Sequence, residues 1–367
     1  MSWNKCKNIL CIRADNMGDI IMTTPALRAL KQTFGCRITL LTSTMGSLIT
    51  PYIKEVDETI ACDLPWIKSN TSTESNACFT LIEKLKTFQF DAVIIFTVYS
   101  QNPLPAAMLA YMANIPLRLA YCRENPYNLL TDWIPDKEPY SGIKHQVKRD
   151  LHLVGNIGAE TSDEHLTVQY NHNAYNSALR KLSSVGFDAR KEFIIAHPGV
   201  SEEKRRYPTA SWIKALRMIK DEADVQVLLT GSKSENELTQ NIQYAVGENT
   251  FAVAELLSLE ESIAVIANAV LVISVNTSTT HIASAFKKPL VVLYAQTNPQ
   301  HIPWLTKSTV LQYSVPETLR SKNEVIEFVN QSYYKKHIDY PLPSTVAAAV
   351  LDMLSISAIK MQPIHSS

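Results

Sequence analysis

With 367 residues, the chain is too long for one ordinary domain and long enough for two of α/β type. Lys plus Arg and Asp plus Glu balance at 35 each, so there is no net basic field to hold nucleic acid or an anionic membrane by charge alone. The six cysteines (Cys6, Cys11, Cys36, Cys62, Cys78 and Cys122) fall in the first third without C-x-x-C spacing. Several sit in apolar runs, which argues against a disulfide framework.

In chain order, short β-branched runs alternate with helical stretches, the rhythm of parallel α/β layers. A first strand is predicted over 8–13 and a helix over 19–34. Arg13 and Asp15 interrupt the apolar start, so no signal peptide is expected and the reading is cytoplasmic. Further strands follow at 37–41, 91–96 and 117–121, then a polar helical passage at 141–157 and mixed signals over 159–190. Strands resume at 193–196, 225–230, 270–274 and 290–294, with helices at 210–220, 235–245 and 279–286. The stretch 262–286 has no acidic, Lys or Arg residue but reads as helix–strand–helix rather than a membrane span. The uncharged stretch 102–115 contains Met108, Leu109, Tyr111 and Met112. It reads as core packing, with peripheral membrane contact as the alternative. A last Ala-rich helix covers 342–361.

Three strand-to-helix turns carry the chemistry. The first runs from Ile12 to Ile20, where Gly18 suits a tight turn and Asp19 enters the first helical turn. Asp19 reads either as a site carboxylate or as an ordinary helix-start acid. Neither G-x-G-x-x-G nor G-K-[ST] occurs, which removes the main support for dinucleotide and Walker-type sites. The second turn, 196–208, holds Lys204, Arg205 and Arg206, able to neutralise a diphosphate or simply a solvated charge run. The third runs from Ser274 through Asn276, Thr277, Ser278, Thr279 and Thr280 to His281. Its helix-start amides and hydroxyls make an anion site without glycine-rich chemistry. His281 alone reads as a structural residue. Between these, Thr230 and Gly231 end a strand, and Glu235 can accept from ribose hydroxyls or start a helix.

These motifs resemble the ADP-heptose:lipopolysaccharide heptosyltransferases, glycosyltransferase family 9. The resemblance lies in N-M-G-D-I-I-M-T-T-P-A-L-R-A-L-K, then H-P-G-V-S-E-E-K-R-R-Y-P with Trp212, then L-S-L-E-E-S-I-A-V-I-A-N-A. S-V-N-T-S-T-T-H-I-A-S-A and the run Tyr294 to Pro299 follow in the family's order, over about residues 7–300.

The resemblance implies an α/β GT-B fold of two Rossmann-like doubly wound domains facing across a cleft. An acceptor-binding domain is expected over 1–170 and a nucleotide-sugar-binding domain over 171–345. A C-terminal helix or tail, 346–367, is expected to pack back on the first domain. It implies inverting, metal-independent transfer of heptose from an ADP-linked donor to a lipopolysaccharide core or other cell-surface glycan. Asp19 is then the catalytic base. Gly18, Ser201 and Lys204 join Thr230, Gly231 and Glu235 on the donor and its phosphates, with Asn276, Thr277, Ser278, Thr279 and His281. No metal or cofactor is expected beyond the nucleotide sugar. The partners are that donor and a glycan or glycolipid acceptor, with peripheral contact at the inner membrane and no nucleic acid.

Asn276 and Ser278 stand where the family usually has an acid and a glycine. Basic residues for a phosphorylated acceptor are sparse: Lys54, Lys68, Arg118 and Arg123. Alternatives are a capsular or natural-product acceptor, a non-catalytic sugar-nucleotide-binding protein, and an enzyme that cleaves or epimerises a nucleotide sugar.

Overall fold

The computed structural model describes residues 2–67 and 74–361; Lys68 and the tail beyond 361 lie outside the described residues. The chain divides into two compact units. The first holds the chain to Val168 together with Pro299–His301 and Asn323–Val329. Its elements are β1 (Asn8–Ile12), α1 (Met17–Phe34), β2 (Arg37–Thr42), α2 (Thr44–Ser47), β3 (Glu58–Ala61) and α3 (Ser75–Thr87). They continue with β4 (Ala92–Ile95), α4 (Leu104–Met112), β5 (Leu117–Cys122), β6 (Asp132–Pro135) and α5 (Gln146–Gly155).

The six strands form one parallel sheet in the order β3-β2-β1-β4-β5-β6. Its central strands read as unbroken apolar runs because both faces are covered. Leu10, Ile12, Val93 and Ile95 meet Ala106, Leu109 and Ala110 of α4 in one core. The chain leaves β1 in one direction across the sheet and returns to its other side at β4. The break in strand order therefore falls between these two strands, where ligands bind in open α/β sheets.

The second unit holds Gln169–Asn298, Ile302–Lys322 and the chain from Asn330. It opens with α6 (His172–Ser183), β7 (Phe193–His197), α7 (Thr209–Glu222), β8 (Gln226–Leu229), α8 (Asn236–Val246) and β9 (Thr250–Ala252). After α9 (Leu259–Asn268) come β10 (Leu271–Val275), α10 (Ser278–Ala285), β11 (Leu290–Ala295) and β12 (Ser308–Tyr313). Then α11 (Glu324–Ser332) begins among residues of the first unit, and α12 (Pro343–Met361) ends the described chain. The parallel sheet runs β12-β11-β10-β7-β8-β9. Counted from β7, this is the strand order of the first unit, and its break lies between β7 and β10.

The charge-free stretch 262–286 is α9, β10 and α10, and among the described residues no helix is long and apolar enough to cross a membrane. Two expectations change. The last helix packs within the second unit: Val346, Ala347, Val350 and Met353 share its core with Trp212, Leu216 and Ile219 of α7. The face of α7 otherwise left bare draws it there. On α4, Leu109 is buried but Met108, Tyr111 and Met112 are exposed, so the helix offers only one side to the core.

Candidate functional site

At the break in the first sheet, β1 ends and α1 begins. Arg13 is fully buried, and its guanidinium meets two carboxylates, Asp15 at 3.0 Å and Asp19 at 2.9 Å. Asp150 of α5 is a third nearby acid and accepts from Thr23 at 3.0 Å and Gln146 at 2.7 Å. Burial disfavours the Arg13 charge, but Asp15, Asp19 and Asp150 outweigh it and raise its pKa. Three acids for one guanidinium cannot all ionise cheaply. Burial raises Asp15, with Asp19 adding to the effect against the pull of Arg13, and burial pushes Asp150 up to about 6. The protons thus favour Asp15 and Asp150.

The turn is held from several sides. Gln101, just beyond β4, donates to Asp15 Oδ1 at 2.6 Å, and Ser43 donates to the Asp15 carbonyl at 2.7 Å. Gly46 lets α2 come close: a Cβ there would stand 2.6 Å from the Asp15 carbonyl oxygen. The His301 imidazole lies 3.5 Å from Asp19 Oδ1.

Gly18 does not form the expected tight turn. The helix starts at Met17, so Gly18 is a buried residue inside its first turn and is not among the positive-φ glycines. Two cations considered for an acceptor phosphate serve the fold instead. Arg118 donates to the carbonyls of Ile115, Asn128 and Leu129, and Arg123 to those of Tyr99 and Glu138. Lys54 is exposed.

At the break in the second sheet, the loops after β7 and β10 meet. Arg205 donates to the Asn276 carbonyl at 3.2 Å and pairs with Glu202 at 2.9 Å. Lys204 is 3.4 Å from Glu202, and exposed Arg206 pairs with Glu203 at 2.7 Å. The three-cation run therefore divides: Arg205 ties the two loops together, Arg206 faces outward with its own acid, and Lys204 stands half-buried between. Ser201 is exposed near the start of this loop.

After β10, Asn276 is buried. Its Nδ2 donates to Thr297 at 3.1 Å, while Oδ1 has no hydrogen-bond partner among the described residues. Thr277 caps α10 by position, without a side-chain cap bond, and its hydroxyl lies 3.3 Å from that of Ser274. Ser278 opens the helix half-exposed. Thr279 and His281 are buried, and the Thr280 hydroxyl turns back to the Val275 carbonyl at 3.1 Å. The polar run thus splits into an accessible helix start, Thr277 and Ser278, and residues packed inward.

Thr230 is buried with its hydroxyl 3.0 Å from His197 Nδ1, and burial lowers the pKa of His197. Glu235 completes a capping box with Ser232, accepting from its amide at 2.6 Å and its hydroxyl at 2.9 Å. The same carboxylate fills the space over Gly199, where a Cβ would lie 2.1 Å from its Cδ, and Gly231 is also close. The helix-start reading of Glu235 is therefore met by its contacts.

Sequence reasoning misses Asp15, Gln101 and His301 around Asp19, and Arg205 as the tie to Asn276. The available signal was a charged pair, Arg13 and Asp15, closing an apolar strand.

Two Rossmann-like units, each with polar groups gathered at its strand-order break, are the architecture of the GT-B fold class. The model of glycosyltransferase family 9 (heptosyltransferase) matches residues 78–333, more than half of the chain. The chain belongs to that family. It is similar to lipooligosaccharide heptosyltransferase 2 of Haemophilus influenzae, 24% identical over 333 residues, covering 85% of this chain and 90% of that protein. Its fold is similar to that of the E. coli ADP-heptose lps heptosyltransferase II, with a TM-score of 0.71 at 19% identity over 96% of this chain and 99% of that one. A glycosyl transferase family 9 protein of Veillonella parvula gives 0.75 at 17% identity, covering 95% and 97%.

Proposed function

We propose that the protein transfers heptose from an ADP-heptose-type donor to a hydroxyl of a lipopolysaccharide core or related cell-surface glycan, with inversion and without a metal. The names of the relatives, an ADP-heptose enzyme and a lipooligosaccharide enzyme, support donor and acceptor class. The observation that carries the mechanism is the division of charge between two equivalent sheet positions: a carboxylate at the first break, a lysine and a helix start at the second.

In the reaction the acceptor oxygen bonds to the anomeric carbon, its proton passes to Asp19, and the bond from that carbon to the diphosphate oxygen breaks with its electron pair. Arg13, paired with Asp19 Oδ1 at 2.9 Å, holds the carboxylate that receives the proton. Lys204, with the amides of Ser278 and Thr279 at the start of α10, meets the charge that develops on the diphosphate. Asn276 Oδ1 is an acceptor for a donor hydroxyl. The exposed Met108, Tyr111 and Met112 suit a cytoplasmic enzyme that touches the inner membrane where a glycolipid acceptor resides.

The test is turnover of ADP-heptose with a truncated lipopolysaccharide core, in excess chelator, by wild type and Asp19→Asn. Wild type is expected to turn over, and the variant to bind donor within a few-fold while losing about 10²-fold or more in kcat. Equal rates, with both proteins folded by thermal melt, remove Asp19 from the role of base. A requirement for added Mg²⁺ or Mn²⁺ removes the metal-free reading.

A further inference from the structure

We propose that His301 is a positioning residue for Asp19: its imidazole and the Arg13 guanidinium together fix the carboxylate that takes the acceptor's proton. The inference rests on the reading of Asp19 as the base. Both groups address the same oxygen, Asp19 Oδ1, Arg13 Nη2 at 2.9 Å and His301 Nε2 at 3.5 Å. Two donors converging on one carboxylate oxygen set the plane of the group and thus the direction in which its second oxygen points.

What separates this from a chance approach is how His301 is held. It follows β11 in the chain, yet Pro299–His301 belongs to the first unit. The preceding residue, Gln300, is fully buried. Its side-chain carbonyl accepts from the Tyr99 amide at 3.1 Å, and its amide donates to Glu138 at 2.8 Å and to the Lys144 carbonyl at 3.3 Å. A glutamine with both ends engaged pins the backbone one residue from the imidazole. His301 itself has its side chain 20% exposed, so it sits at the rim of the site rather than in the core.

The 3.5 Å separation is long for a hydrogen bond. It is within reach of an ion pair when the imidazole is charged. A neutral imidazole carrying its proton on Nε2 suffices to donate, and a charged one donates more strongly. The neighbouring charges are Arg13 and Asp15 at the end of β1 and Asp150 on α5, with Glu138 and Lys144 beside Gln300. Arg13 alone is already shared between Asp15 and Asp19. A second donor on Asp19 therefore keeps the base oriented when the proton arrives and the pull of Arg13 weakens.

The experiment has a kinetic and a spectroscopic arm. His301→Ala is expected to lower kcat with ADP-heptose about tenfold, with KM for the donor within about twofold. His301→Gln, which keeps an N–H donor, is expected to recover most of the loss. Independently of turnover, the His301 imidazole is followed by NMR and assigned by the signal missing in His301→Gln. It is expected to titrate at lower pH in Asp19→Asn than in wild type, because a carboxylate within reach favours the imidazolium.

An unchanged kcat in His301→Ala beside an inactive Asp19→Asn overturns the positioning role and leaves the base intact. An active Asp19→Asn removes the base and this inference with it. Identical His301 titration in wild type and Asp19→Asn overturns the pairing, whether or not the alanine variant folds.

Discussion

The two units share one strand order and differ in what stands at the break in it. In the first, a buried arginine is enclosed by Asp15, Asp19 and Asp150. In the second, the partly exposed Arg205 ties a loop to the carbonyl of Asn276, with Lys204 beside it and a helix start facing out. Topology determines where a site forms; the side chains at that place determine its charge. The two arginines also differ in energetic weight. One compensates carboxylates that are largely or wholly withdrawn from water, and the other fastens two loops near the surface.

That contrast yields its largest test in the arginines themselves. Arg13→Met should cost about 3–5 kcal/mol at neutral pH, because it strands buried carboxylates. Arg205→Met should cost about 1 kcal/mol or less, since its pairing with Glu202 is partly exposed. Chemical denaturation of the two variants compares them directly. Equal losses would dissolve the distinction.

The next test is acid titration. Asp150 holds its proton up to about pH 6 in the folded protein, against an ordinary aspartate value of 3.8. Between those values the folded state binds more protons than the unfolded one, so Asp150 makes stability fall as pH rises through the window. Asp150→Asn should flatten that slope, by up to about 3 kcal/mol across it. Melting temperature against pH in the two proteins is the measurement, and parallel curves count against a raised Asp150.

In the second unit, Asn276→Asp puts a carboxylate in place of a neutral amide just before α10. Thr297 can still bond to it, and the start of α10 favours a negative charge, so folding should hold. Turnover should persist while the ranking of ADP-, GDP- and UDP-sugars by kcat/KM changes, by less than about tenfold. An unchanged ranking reduces Asn276 to a loop residue.

The smallest effect belongs to Gly199→Ala, which displaces the Glu235 carboxylate and should cost about 1 kcal/mol through the lost capping box. In a Glu235→Ala background the same change should be nearly silent. Additive losses would mean that the glycine acts through something else.

The fold was legible in its interior and not at its margins. The eight strands predicted from apolar runs are β1, β2, β4, β5, β7, β8, β10 and β11, the inner members of the two sheets. The four without a sequence signal, β3, β6, β9 and β12, are the four edge strands. An edge strand pairs on one side only and is partly solvated. Asp132–Pro135 alternates half-buried and exposed residues, and Thr250–Ala252 is only three residues long. Helix α6 hides in the passage of mixed signals because only Ala174, Ala178 and Leu182 of its twelve residues are buried.

The site divides in the same way. The three strand-to-helix turns were readable because each is contiguous in sequence. The groups around Asp19 come from the end of β1, from Gln101, from α5 and from the segment after β11, and no spacing rule joins them. Glu235 was ambiguous for another reason: a capping acid and a ligand acid look alike until their hydrogen-bond partners are known.

The interleaving of the two units has a consequence for synthesis. The first unit cannot be completed when its own sheet leaves the ribosome, because Gln300, which bonds to the Tyr99 amide and to Glu138, is translated only after β11. Val329, fully buried in that unit, comes later still. The second unit waits in turn for Val346 and Val350 to cover Trp212. The first unit therefore reaches its final core only after Val329 is made, and the second only after Val350. A ribosome stalled before residue 300 would hold two sheets with neither core finished, and a chaperone that binds apolar surface would find it on both.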